Sequence, residues 1–127
     1  MDYSALVAAL FALQASLATY QAHAAENAPI LTSTTTITAY IVKRAVEADL
    51  SPTEVLETLR CESKLKIDAI GDKGKSFGIA QIHLPSHPSI SKKQALDPVW
   101  AINWTIEQFG KGKARMWTCH RTLFGET

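Results

Sequence analysis

Apolar residues fall along this chain in one continuous run and several periodic stripes. The run is Ala5 to Tyr20, interrupted only by Gln14, Ser16 and Thr19. The first stripe starts near Ile37, with Ile37, Ile41, Val42, Ala45 and Val46 on one helical face and Lys43, Arg44 and Glu47 off it. It predicts a helix that ends at Asp49-Leu50, preceded by a Thr-rich lead-in, Asn27 to Thr36. Ser51, Pro52 and Glu54 then form a helix start: an N-cap, a proline at the first position and a capping-box acid. The stripe Val55, Leu56, Leu59 carries this second helix to about Cys61 or Ser63. From Lys64 to Ser91 no period holds, and Gly71, Gly74, Gly78, Pro85 and Pro88 prevent a long helix. A small hairpin or irregular loop is expected between Ile70 and Ile82. Asp97-Pro98 opens another helix, whose stripe is Ile102, Ile106 and Phe109 and whose stop is Gly110 or Gly112. The pattern predicts a mainly α (α+β) domain of roughly three to five helices with at most a small β-hairpin.

The continuous run is shorter than the roughly 20 residues that span a bilayer and has the length of a signal-peptide core. Ala22-His23-Ala24 behind it is a small-x-small cleavage pattern, although Met1-Asp2-Tyr3-Ser4 lacks the usual positive charge. The expected division is a signal peptide over 1–24, the lead-in over 25–36 and the domain over 37–127. A helix of the domain, or an uncleaved membrane anchor, would give the same pattern.

Composition adds little by itself. The chain has 127 residues, 46% apolar, which excludes disorder and fits one domain. Its net charge of +1 conceals an asymmetry: Arg60 to Arg121 holds 11 Lys+Arg against 5 Asp+Glu. A positive half of this kind attracts an acidic polymer at moderate salt, although scattered lysines also serve as an ordinary solvated surface. The two cysteines, Cys61 and Cys119, read as a disulfide if the domain is exported and as buried thiols if it is not. A bridge between them would add about 3–4 kcal/mol by constraining the unfolded chain.

Glu62 is the candidate catalytic residue. It follows Val55 and Leu59 at i+7 and i+3, so its carboxylate leaves the helix on the apolar stripe and in the last turn. Partial desolvation and the helix dipole both raise a carboxyl pKa, which suits a general acid. Pairing with Arg60, Lys64 or Lys66 past the helix end is the plain alternative.

Glu62-Ser63, followed by Ser76-Phe77-Gly78-Ile79-Ala80-Gln81-Ile82, resembles the lysozyme-like superfamily, in particular the soluble lytic transglycosylase domains with their Glu-Ser pair and Gly-x-x-Gln motif. Cys61-Glu62-Ser63 with Trp117-Thr118-Cys119 also resembles the resuscitation-promoting-factor branch, in which the equivalent cysteines pair. The resemblance covers roughly Ile37 to Cys119. It implies a lysozyme-like domain that cleaves the β-1,4 bond between N-acetylmuramic acid and N-acetylglucosamine. Glu62 would be acid and then base, and Ser63 would orient it. Gly78 and Gln81 would line the glycan cleft; Ser76 is a further candidate there, His83 is a loop histidine within reach of a sugar, and Trp117 is a candidate stacking platform by its residue type.

Two positions depart from the pattern. Chicken-type lysozymes carry an Asp where Ser76 stands, and a nucleophilic carboxylate about 5 Å from the acid is what double displacement needs. Its replacement implies the single-glutamate route, assisted by the substrate's N-acetyl group and ending in a 1,6-anhydro product. Asp68 and Asp72 remain as possible carboxylates from the loop. The Ala-Tyr-Asn motif of most lytic transglycosylases is also missing, with Trp117 as the candidate replacement.

A hydrolytic lysozyme is the first alternative. A non-catalytic glycan-binding or structural module of a secretion, conjugation or phage-tail machine is the second. The expected partner is peptidoglycan, the expected state a monomer, and the expected location periplasmic or secreted. No cofactor and no metal are expected: His83 and His87 are separated by Pro85, and zinc needs three or four ligands. Trp104, beside the apolar stripe, reads as core. Lys111, Lys113 and Arg115 make too short a basic run for nucleic-acid binding.

Overall fold

The computed structural model describes residues 3–11 and 29–125. Residues 1–30 and Leu31–Thr127 are separate compact units. Residues 3–11 are helical. The rest of the apolar run and the Ala22-His23-Ala24 pattern lie outside the described residues. Among the described residues no helix is long and apolar enough to cross a membrane.

The second unit begins earlier than the hydrophobic stripe predicts. Helix α1 spans Thr34–Glu47, because Ser33 and Thr36 form a reciprocal capping box inside the Thr-rich stretch. Leu31 is already in the core. The buried face of α1 is Ile37, Ile41 and Ala45, spaced i, i+4, i+8. Val46, predicted on that face, is exposed. Helix α2, Pro52–Ser63, starts as predicted: the Ser51 hydroxyl accepts from the Glu54 N–H at 3.2 Å. The Glu54 carboxylate does not reach back to complete the box and lies 3.5 Å from His120 Nε2. Val55 and Leu59 are fully buried on α2, and Leu56 flanks them.

After α2 the backbone turns through Lys64 and Leu65, both left-handed at φ 56° and 60°. Three two-residue strands follow: β1 (Ile70–Gly71), β2 (Ser76–Phe77) and β3 (Ile82–His83). They form one antiparallel sheet in the order β1-β2-β3, with Ile70 opposite Phe77 and Ser76 opposite His83. A short helix α3, Lys92–Leu96, closes over β2, and Ser91 with Gln94 caps it by a second capping box. Helix α4, Pro98–Gly110, follows directly, with Asp97 accepting from the Val99 and Trp100 amides. A 3₁₀ turn, Ala114–Met116, leads into α5, Thr118–Phe124. The fold is therefore mainly helical with a small antiparallel sheet.

Helix α1 packs on α2, and α2 packs on α5. The core joins Ile41, Val55, Leu59, Ile79, Ile82 and Ile102, each 0–2% exposed. Two buried threonines satisfy their hydroxyls on their own helices, Thr58 on the Glu54 carbonyl and Thr105 on the Ala101 carbonyl. Cys61 on α2 and Cys119 on α5 are joined by a disulfide, with an S–S distance of 2.08 Å. The two free thiols that the sequence left open are excluded. A disulfide of this kind points to an oxidising compartment.

Candidate active site

An open cleft of about 370 Å³ runs between the end of α2, the sheet and the inner side of α4 and α5. Glu62, Asp72, Gln81, His83, His87 and Trp104 line it, together with the start of α5.

Glu62 stands at the last turn of α2, partly buried. One carboxylate oxygen accepts the Cys119 backbone N–H at 3.3 Å. The disulfide that precedes Glu62 in sequence thus also fixes the donor that faces it. Desolvation is the largest influence on this carboxyl and raises its pKa above the ordinary 4.5. The Cys119 hydrogen bond pulls the other way, the Asp72 charge raises the pKa further, and Arg121 lowers it. The net direction is upward. The sequence alternative of a Glu62 ion pair is not realised among the described residues, and Arg60 pairs with Glu57 instead.

Asp72 supplies a second carboxylate to the cleft. It sits in a turn where Asp72 and Lys73 are both left-handed, at φ 49° and 56°. The Ser76 hydroxyl donates to the Asp72 carboxylate across this turn. Ser76 therefore does not line the cleft as expected; it is fully buried and holds the residue that does.

Gln81 does line the cleft, and its amide is committed on one side. Its Nε2 donates to the Ala69 and Gly78 carbonyls at 3.1 and 2.9 Å. Only its carbonyl oxygen remains for a ligand, as an acceptor. His83 lines the cleft with Nδ1 against the Ser86 hydroxyl at 2.7 Å, so Nε2 is the free ring nitrogen.

Two further expected site residues, Ser63 and Gly78, lie behind the cleft wall, and a third, Trp117, is largely buried beneath it. Ser63 is buried and donates to the Ile79 carbonyl at 2.7 Å, which ties the end of α2 to the glycine loop. Gly78 has φ +79°, and a Cβ there would meet the Ala95 carbonyl oxygen at 1.9 Å. Its small size serves contact with α3 rather than with a ligand. Trp117 is 5% exposed, donates its indole N–H to the Ala80 carbonyl at 2.9 Å and only floors the cleft.

Trp104 packs against the core beside the stripe, as expected, and in addition forms a wall of the cleft. Its ring stands edge-on to Trp117 (centroids 5.7 Å) and to His87 (5.1 Å). Asn103 follows Ile102, Trp104 precedes Thr105, and the buried pair Ile102 and Ile106 leaves Trp104 beside the stripe rather than on it. His87, Ser86, Met116 and Thr118 were not singled out as cleft residues; Ser86 and Met116 end short 3₁₀ turns, His87 follows the first of these, and Thr118 opens α5, so no stripe of apolar residues points to them. Among the described residues no group of three His, Cys, Asp or Glu is placed to hold a metal ion.

The chain matches no protein-family model, no curated protein and no solved structure.

Proposed function

We propose that this domain cleaves the β-1,4 bond between N-acetylmuramic acid and N-acetylglucosamine in peptidoglycan, with Glu62 as its general acid, in the periplasm or outside the cell. The observation that carries the reading is a desolvated carboxyl, raised in pKa, on an open cleft rather than in an ion pair. The lysozyme-like resemblance of Glu62-Ser63 and the Gly78-to-Gln81 stretch supports it.

In the lytic route Glu62 gives its proton to the glycosidic oxygen, and the C1–O bond breaks. The muramoyl 6-hydroxyl then closes onto C1 and returns its proton to the Glu62 carboxylate. The product is a 1,6-anhydro sugar, and no water is consumed. Among the described residues one Glu62 oxygen is held, by Cys119, and the other is left to give the proton and take it back.

One observation favours a hydrolytic reading. Asp72 lines the same cleft as Glu62, and Ser76 orients it. Two carboxylates across a cleft are the constellation of a glycoside hydrolase. In that route water supplies the hydroxyl at C1.

Glu62→Gln tests both routes together. It should reduce peptidoglycan cleavage by roughly 10²–10⁴-fold while leaving the far-UV spectrum unchanged. Undiminished clearing by this variant would rule the mechanism out. Mass spectrometry of the wild-type digest separates the routes: anhydro ends mark the lytic reaction, reducing muramic ends the hydrolytic one.

A further inference from the structure

Trp104 has two sides. Beyond it, a second groove of about 350 Å³ runs along the outer face of α4, lined by Asp97, Val99, Trp100, Asn103, Trp104 and Glu107. Trp100 and Trp104 are one turn apart, their rings 12° from parallel with centroids 6.3 Å apart.

Asn103 is the chemically informative member. Its carbonyl oxygen accepts from Tyr40 Oη at 3.1 Å and from Arg44 Nε at 2.8 Å, both on α1. An arginine nitrogen can only donate, so the amide has one possible orientation. Its NH₂ group is thereby fixed in the lining of the groove with no protein partner among the described residues. Acceptors flank it. Asp97 caps α4 through Oδ1, and Glu107 meets Lys111 through Oε1, which leaves the second oxygen of each.

Aromatic faces, one fixed amide donor and flanking carboxylate acceptors are the complement of a pyranose ring with an acetamido carbonyl and hydroxyls. The two carboxylates also oppose any ligand that carries its own carboxylate. We infer that this groove is a second saccharide subsite. It takes an uncharged N-acetylglucosamine unit of the strand whose scissile bond lies at Glu62, and Trp104 is the wall shared by the two grooves. The inference rests on the glycan-cleaving reading and adds to it a binding site away from the reacting bond.

The test titrates the full chain carrying Glu62→Gln with the N-acetylglucosamine hexamer, reading the tryptophan indole N–H signals by NMR. The Trp100 and Trp104 signals should both move. Added to that background, Trp100→Ala should raise the hexamer Kd about tenfold, the loss of roughly one good contact. Asn103→Asp should do the same: it keeps the oxygen that Tyr40 and Arg44 grip and replaces the donor with a charged acceptor. If Trp100→Ala does not fold, Asn103→Asp carries the test alone. Hexamer binding that moves Trp104 but not Trp100 and is indifferent to Asn103→Asp overturns the inference and leaves the cleavage reading in place. No hexamer binding, together with wall clearing that survives Glu62→Gln, overturns the reading and the subsite with it.

Discussion

Glu62 stands on the last turn of a twelve-residue helix, whereas Asp72 stands in a turn with two consecutive left-handed residues. The helix wall is held by burial: Val55 and Leu59 anchor α2, and Ser63 pins its end to Ile79. The loop wall, residues 64–91, also buries Phe77, Ile79 and Ile82, but its shape around the cleft is set by individual ties. Gln81 grips two carbonyls, Ser76 grips Asp72, and Gly78 lies against Ala95. The difference shows in the carboxylates. The helix brings Glu62 partly out of water, while the exposed turn keeps Asp72 solvated and orients it by one hydroxyl. One cleft thus offers two carboxylates in unlike environments, which is how acid and base roles are usually kept apart.

The largest break should come from unfastening the helix wall. Replacing Cys61 and Cys119 together by serine frees a loop 58 residues apart in sequence and should lower stability by about 4 kcal/mol in the chain-entropy account. Denaturant unfolding of the double variant measures it.

Gly78→Ala attacks the loop wall instead. Its Cβ would meet a backbone oxygen and adopt a positive φ, so a loss of about 3 kcal/mol is expected. If the variant unfolds at the wild-type midpoint, the loop wall does not depend on that contact.

A smaller effect sharpens the contrast in charge. The folded pKa of Glu62 lies above its unfolded value, so the folded state holds the proton longer. Stability therefore falls as pH rises from the unfolded value through the folded one, and the cost persists above it. Glu62→Gln removes that cost. Its Tm should exceed the wild type's at neutral pH, and the gain should vanish below about pH 4.5, the ordinary carboxyl value. Loss of activity with a gain in Tm would separate this residue from a structural one.

Asp72→Asn should act most gently. Removing its charge lowers the Glu62 pKa, and a general acid works only below its pKa. The alkaline limb of the pH–rate profile should move to lower pH with the maximal rate nearly kept. A drop of about 10²-fold in that maximum would instead make Asp72 a direct participant and favour hydrolysis.

The same contrast explains what the sequence disclosed. The helix wall was legible because its signals are local: Ser51-Pro52, the Val55-Leu59 stripe, Asp97-Pro98 and the periodic place of Glu62. The earlier start of α1 was readable in principle, since Ser33 and Thr36 have capping spacing, but the Thr-rich composition masked it. Helix α3 carried a capping box at Ser91 and Gln94 that the prolines nearby obscured. The loop wall followed no period, so the places of Ser76 and Gly78 behind the wall depend on tertiary contacts with Asp72 and Ala95. The burial of Trp117 has the same cause. The Trp117 indole finds the Ala80 carbonyl 37 residues away, a partner that no local pattern announces.

The disulfide has a consequence for covalent topology. Every residue that lines the cleft lies between Glu62 and Thr118, and the second groove lies between Asp97 and Glu107. Cys61 and Cys119 close the chain just outside those limits. Both grooves therefore sit on a single covalent ring, with α1 and the first turns of α2 attached as one tail and α5 as the other. A protease that cuts an exposed turn such as Lys73-Gly74 opens the ring into a longer chain but releases no piece of the site.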